Sequence, residues 1–198
     1  MGQSNMLGEG KVLGFNGNNN TLQHAVEIDG MYQYLWDKKT KQWAVAEQVR
    51  NVFIMSNGNA SFDKATLQDN EWMQAPVKCE GCKKSTIGPE LGIGFTLANL
   101  TELGHIMTLK SCIGNRALGW DLLPPGSKGY EYNNYTYAGY GECPMKWKAG
   151  DPHQENKNCS WYAGMQWDGD TGNAQHILDN LSTYYPGATK YEVAGFFW

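Results

Sequence analysis

Leu91, Phe95, Ala98 and Leu103 fall on one face of a helical period, and this spacing predicts a helix from Gly88-Pro89-Glu90 through about Glu102. Pro89 and Glu90 suit its first turn, and Gly104 supplies its stop. Ala174, Ile177, Leu178 and Leu181 predict another helix over 174–185, closed by Pro186-Gly187. Strands are predicted where short apolar runs meet breakers: Val45 to Met55 before Ser56-Asn57-Gly58-Asn59, Ile106 to Ile113 before Gly114, and Tyr191 to Trp198. Residues 22–36 alternate loosely around Asp29-Gly30, a pattern that predicts a hairpin. Residues 2–20 read as loop, and 119–170 as a long excursion with little periodicity around Pro124-Pro125-Gly126. A helix followed by a buried strand is the alternation of an α/β protein with a parallel sheet.

At 198 residues the chain is long enough for one domain with its own core, and 1–198 is read as that single domain. With 41% hydrophobic and 18% charged residues, neither disorder nor a coiled coil fits. The formal net charge of −4 gives no electrostatic reason to expect a nucleic-acid partner. No run reaches the ~18 apolar residues of a membrane span, so no membrane partner is expected. The 8 Trp and 11 Tyr suit stacking on sugar rings and equally suit ordinary packing. The tyrosine-rich run Tyr130 to Tyr140, with Trp147, Trp161 and Trp167, fits either a carbohydrate cleft or an excursion packed on the sheet.

Cys79, Cys82, Cys112, Cys143 and Cys159 are odd in number, so they cannot all be paired within the chain. Cys79-Glu80-Gly81-Cys82 has the spacing of a redox pair or half a zinc site, and a local disulfide is the third possibility. Cys143 and Cys159 can close a disulfide across the excursion, while Cys112 reads as a small core residue on its strand. That pairing fits an oxidising compartment, and a secreted or periplasmic location is the expectation.

Candidate chemistry sits in Gly2-Gln3-Ser4-Asn5-Met6, where a serine stands in a tight turn, and in Lys110-Ser111-Cys112-Ile113-Gly114-Asn115, where a strand runs into Gly-Asn. These runs resemble the first two sequence blocks of the SGNH hydrolase superfamily, in its sialate O-acetylesterase-like and acetyl xylan esterase-like branch. The Ile87-Gly88-Pro89-Glu90-Leu91-Gly92 run is similar to a helix start of that branch, and Gly195-Phe196-Phe197-Trp198 to the strand leading into its third block. The resemblance implies a flavodoxin-like three-layer α/β/α sandwich with a central parallel sheet and long loop excursions. It implies Ser4 as nucleophile, the Ser4 and Gly114 backbone N–H groups as oxyanion donors, and Gln3, Asn5, Asn115 and Glu90 as site neighbours, Glu90 in a supporting role. Asn115 stands where the family often has a second glycine.

A serine hydroxyl needs a base, and the family's Asp-x-x-His motif is missing. The residues three before His24, His105, His153 and His176 are Thr21, Glu102, Gly150 and Asn173. Only Glu102-Leu103-Gly104-His105 has the spacing, and it straddles a predicted helix end ahead of the second block. A buried strand before Gly2 and the remaining catalytic blocks after Trp198 are therefore expected elsewhere, and the chain reads as truncated at both ends. The implied activity is removal of O-acetyl or other O-acyl groups from an acetylated sugar or polysaccharide, with no metal or organic cofactor. A chain lacking the base is expected to be nearly inactive alone. The competing reading is a non-catalytic carbohydrate-binding or adhesion domain on the same fold, with a zinc or thiol-redox module as a third.

Overall fold

A computed structural model describes residues 1–14, 19–56, 60–76, 86–100, 102, 104–153 and 159–197. The chain is mixed α/β. Among the described residues its elements run α1 (Ser4–Leu7), β1 (Gly10–Lys11), α2 (Leu22–Glu27), β2 (Trp36–Asp37), β3 (Gln42–Trp43), β4 (Val45–Met55) and β5 (Thr66–Gln74). They continue with β6 (Thr86–Ile87), α3 (Pro89–Ala98), β7 (Ile106–Ser111), β8 (Tyr130–Tyr132), β9 (Tyr135–Tyr137), β10 (Lys146–Lys148), α4 (Met165–Asp179) and α5 (Leu181–Tyr184).

The central element is β4, whose apolar run pairs on both sides in a three-stranded sheet of order β5-β4-β7. β4 and β7 run parallel, with Val49 opposite Ile106 and Ile54 opposite Ser111. β5 is antiparallel to β4, with Val52 opposite Asn70. The remaining described ladders are two- and three-stranded and antiparallel. The expected central parallel sheet is not seen among the described residues: one parallel pair, β4 with β7, stands among small and mostly antiparallel sheets.

Strand alternation sends β4 side chains to two faces. On one, Val49 packs with Met73, Leu91 and Phe95, so α3 covers that face. Gly94 allows the close approach, because a Cβ there would lie 2.8 Å from Met73 Cε and 3.4 Å from Val49 Cγ1. On the other face Val52 and Ile54 pack with Ile177 of α4 and Tyr184 of α5. α3 ends at Ala98 rather than near Glu102, where the Asn99 side chain donates to Phe95 O at 3.0 Å and ends the ladder.

Other expectations are corrected. Residues 22–27 form α2 instead of a hairpin strand: Thr21 Oγ1 caps His24 N–H at 3.2 Å and Leu22 and Val26 are buried one turn apart. Asp29-Gly30 follows that helix's end, and the nearby hairpin forms between Trp36 and Trp43. α4 begins at Met165, ahead of the predicted Ala174, with Gly164 in the left-handed region at φ +90°. The predicted strand from Tyr191 has no ladder through Phe197; Val193 and Phe196 are exposed. In the excursion Cys143 and Cys159 are joined, with Cα atoms 6.4 Å apart. Cys79 and Cys82 lie outside the described residues.

Candidate functional site around Ser4

Ser4 opens α1, a single turn in which Leu7 N–H donates to Gln3 O and Gly8 N–H to Ser4 O. So short a helix is not stable alone; its neighbours hold it. Met6 and Leu7 pack on Phe53 and Cys112, at the carboxyl ends of β4 and β7. Lys110 Nζ donates to Leu7 O at 3.1 Å, lies 3.8 Å from the centre of the Phe53 ring, and pairs with Glu90 Oε1 at 2.8 Å. Lys110 and Glu90 side chains are only 4% and 5% exposed. Glu90 Oε1 also accepts Gly88 N–H at 3.2 Å. Burying such charges is tolerable only when both are paired and hydrogen-bonded, and here the pair ties α3, β7 and the serine turn together.

The other end of the turn is held from the opposite face of the sheet. Gln166 Nε2 donates to Gly2 O at 2.7 Å and to Asp170 Oδ2 at 3.1 Å. Asp170 Oδ1 accepts Ser111 Oγ–H at 2.6 Å, and Asn173 Nδ2 donates to the same hydroxyl oxygen at 3.2 Å. Burial pushes the Asp170 carboxyl up to about 6, against the lowering effect of its Ser111 and Gln166 donors. Gln166, Asp170 and Asn173 were not among the sequence candidates. They share a helical face with Ile177, and periodicity searched in apolar residues passes over a face filled by polar ones. Their signal was the i, i+4, i+7 spacing itself.

Gly8 is required by space. It has φ +91°, and a Cβ there would lie 2.7 Å from Gly88 N. This close approach aligns the short β1–β6 ladder, with Gly10 opposite Ile87, beside the turn.

The Ser4 hydroxyl donates to Gln3 Oε1 at 2.6 Å, and Ser4 N–H donates to the same oxygen at 3.0 Å. The Gln3 amide oxygen therefore occupies the N–H assigned to an oxyanion. Gln3 and Asn5 are exposed and Ser4 is half-buried. Gly114 comes next to this turn: a Cβ at 114 would lie 3.7 Å from Leu7 Cδ2. Asn115 is exposed and left-handed, at φ +59°. Beyond it Arg116 stacks 3.7 Å from the centre of the Trp161 ring and stands 3.8 Å from Asp121 Oδ1, while Asp121 Oδ2 accepts Ala117 N–H at 2.5 Å. Arg116 Nε and Trp161 Nε1 are buried without a hydrogen-bond partner among the described residues.

Each histidine is engaged away from Ser4. His24 Nδ1 meets Asp29 Oδ2 at 3.2 Å, and His105 Nδ1 meets Tyr185 Oη at 3.0 Å. His153 Nε2 meets Cys143 O at 3.1 Å and stacks on Trp147; His176 stacks on Phe62 at 3.5 Å. Cys112, beneath the turn, is fully buried, and burial pushes its thiol up to about 12, so it stays neutral and unreactive. A cleft of about 630 Å³ lies elsewhere, lined by Val26, Gln33 and Trp36 with Lys38 and Lys41, and by none of the candidate residues.

Comparison of the chain with family models, with curated proteins and with solved structures finds no match.

Proposed function

We propose that Ser4 is the nucleophile of a carbohydrate O-acyl esterase, with an acetyl ester as substrate, on an SGNH-like α/β/α sandwich whose parallel sheet includes β4 and β7. The observation that carries this reading is the meeting of the serine turn with the segment after β7. Leu7 and Gly114, far apart in sequence, are neighbours at the carboxyl ends of two parallel strands, the edge where open α/β sheets carry their ligands. α3 and α4 on opposite faces of the sheet are consistent with the sandwich.

In the proposed reaction Ser4 Oγ bonds to the acyl carbon as a base takes its proton. The Ser4 and Gly114 N–H groups hold the carbonyl oxygen as it gains negative charge. The C–O bond to the sugar breaks, the sugar hydroxyl leaves with a proton, and water then releases acetate and restores Ser4. Gln3 Oε1 must leave the Ser4 N–H before an ester can use it. Each histidine is engaged with a partner other than Ser4, so the arrangement assigns none of them as the base.

The competing reading is a non-catalytic carbohydrate-binding domain, and it is the engagement of each histidine with a partner other than Ser4 that favours it. Exogenous imidazole separates the two. The chain alone is expected to release acetate from acetylated xylan at background rate, because losing a triad's base costs several orders of magnitude. Added imidazole is expected to raise that rate in the natural chain and not in Ser4→Ala. An imidazole-dependent rate identical in both proteins would remove the nucleophile assignment.

A further inference from the structure

The excursion after β7 carries a surface that the esterase reading does not use. β8, β9 and β10 form a three-stranded antiparallel meander. Its register sets Tyr130 opposite Tyr137, Tyr132 opposite Tyr135, Lys146 opposite Tyr137 and Lys148 opposite Tyr135. Directly opposed residues share a face, and so do residues two apart. Tyr130, Tyr132, Tyr135, Tyr137, Lys146 and Lys148 therefore line one face, while Glu131, Thr136 and Trp147 point to the other.

Ring contacts agree with this placement. Tyr130 and Tyr137 stack with centroids 5.0 Å apart and planes 7° from parallel. Lys146 Nζ lies 4.4 Å from the Tyr135 ring centre and 5.5 Å from that of Tyr137. The surface is open: Tyr130, Tyr132 and Tyr135 are 56%, 62% and 41% exposed. Both lysines are exposed, and neither forms an ion pair among the described residues. The stacking and lysine–ring contacts order the face while leaving its rings largely in water, and such an exposed aromatic patch marks an interaction site.

We infer that this face binds a polysaccharide bearing anionic substituents. The flat tyrosine rings stack on the apolar faces of sugar rings, their hydroxyls meet sugar hydroxyls, and Lys146 and Lys148 meet a carboxylate or sulfate. Charge selects the occupant. Lys146 and Lys148 give the face two cations among its tyrosines, a match for single anionic substituents on a stacked sugar chain, whereas a nucleic-acid backbone binds by neutralising many phosphates. The inference stands independently of the role of Ser4.

The test is affinity electrophoresis of the full chain through gels holding polygalacturonate, chondroitin sulfate, neutral dextran or oligothymidylate. Retardation is expected with one or both anionic polysaccharides, and the pair tells carboxylate from sulfate recognition. Tyr132→Ala, which removes an exposed ring and leaves the Tyr130–Tyr137 stack intact, is expected to weaken binding about tenfold. Lys146→Gln with Lys148→Gln is expected to weaken it and to flatten its salt dependence. Ser4→Ala is expected to bind as the natural chain does. The inference is overturned by no retardation in either anionic gel, by equal retardation in dextran, by stronger retardation in oligothymidylate, or by binding that both face variants keep or Ser4→Ala loses.

Discussion

On the inner face of α4, Gln166, Asp170 and Asn173 stand where a helix usually carries aliphatic side chains. Their value is positional: they connect Ser111 at the end of β7 to Gly2 O in the serine turn. The cost falls on Asp170. Its folded carboxyl is raised to about 6, chiefly by burial, above the ordinary value near ~3.9. Between those values the folded chain keeps a proton that the unfolded chain has released, so stability falls as pH rises through that window and levels off above it. The displacement corresponds to about 3 kcal/mol. Urea unfolding at pH 4 and pH 7 is expected to show this loss in the natural chain and not in Asp170→Asn; equal slopes in both would mean that Asp170 carries no proton in the fold. Ser4, Gly114 and Glu90 could be picked out by residue type and local motif. The residues that hold them could not, because Lys110, Gln166 and Asp170 acquire their partners only across the sheet.

At the scale of elements, β4, α3 and β7 were legible because each has a single apolar pattern that its tertiary neighbours reinforce. α2 was misread because Leu22 and Val26, one turn apart, also fit a loose alternation over so short a stretch, and only the Thr21 cap decides for the helix. The start of α4 was missed because its buried face is polar. The excursion after β7 depends on a covalent link as well as on packing. Cys143 and Cys159 are separated by 16 positions, and closing a loop of about that length is worth roughly 3 kcal/mol. Flanking the link, Tyr140 and Tyr162 both donate to Asp168. The double variant Cys143→Ser with Cys159→Ser is expected to lose about that much in urea unfolding while keeping α3 and β7 intact by amide exchange. No loss would mean that the Asp168 hydrogen bonds suffice to hold the excursion.

Over the whole molecule, the packed core follows the two faces of β4, and the last segment lies outside it. The segment from Tyr191 to Phe197 is apolar enough for a strand, yet it forms no ladder and leaves Phe196 63% exposed. Chymotrypsin is expected to cut this segment before it cuts at Tyr130 or Tyr132, which are similarly exposed but held in a β-ladder. Mass spectrometry of the first products reads this directly, and early cleavage in β8 with the segment intact would contradict it. The sequence by itself determined the mixed α/β class, the cores of β4 and β7, the α3 start and the serine turn, because propensity, caps and apolar spacing act over a few neighbouring residues. Tertiary structure alone decided the antiparallel place of β5, the polar face of α4, the pairing that seats Lys110 beneath the serine turn, and the absence of a ladder in the last segment. Each of these depends on a partner distant in sequence, and a hydrogen bond or buried charge has no local signature until that partner is in place.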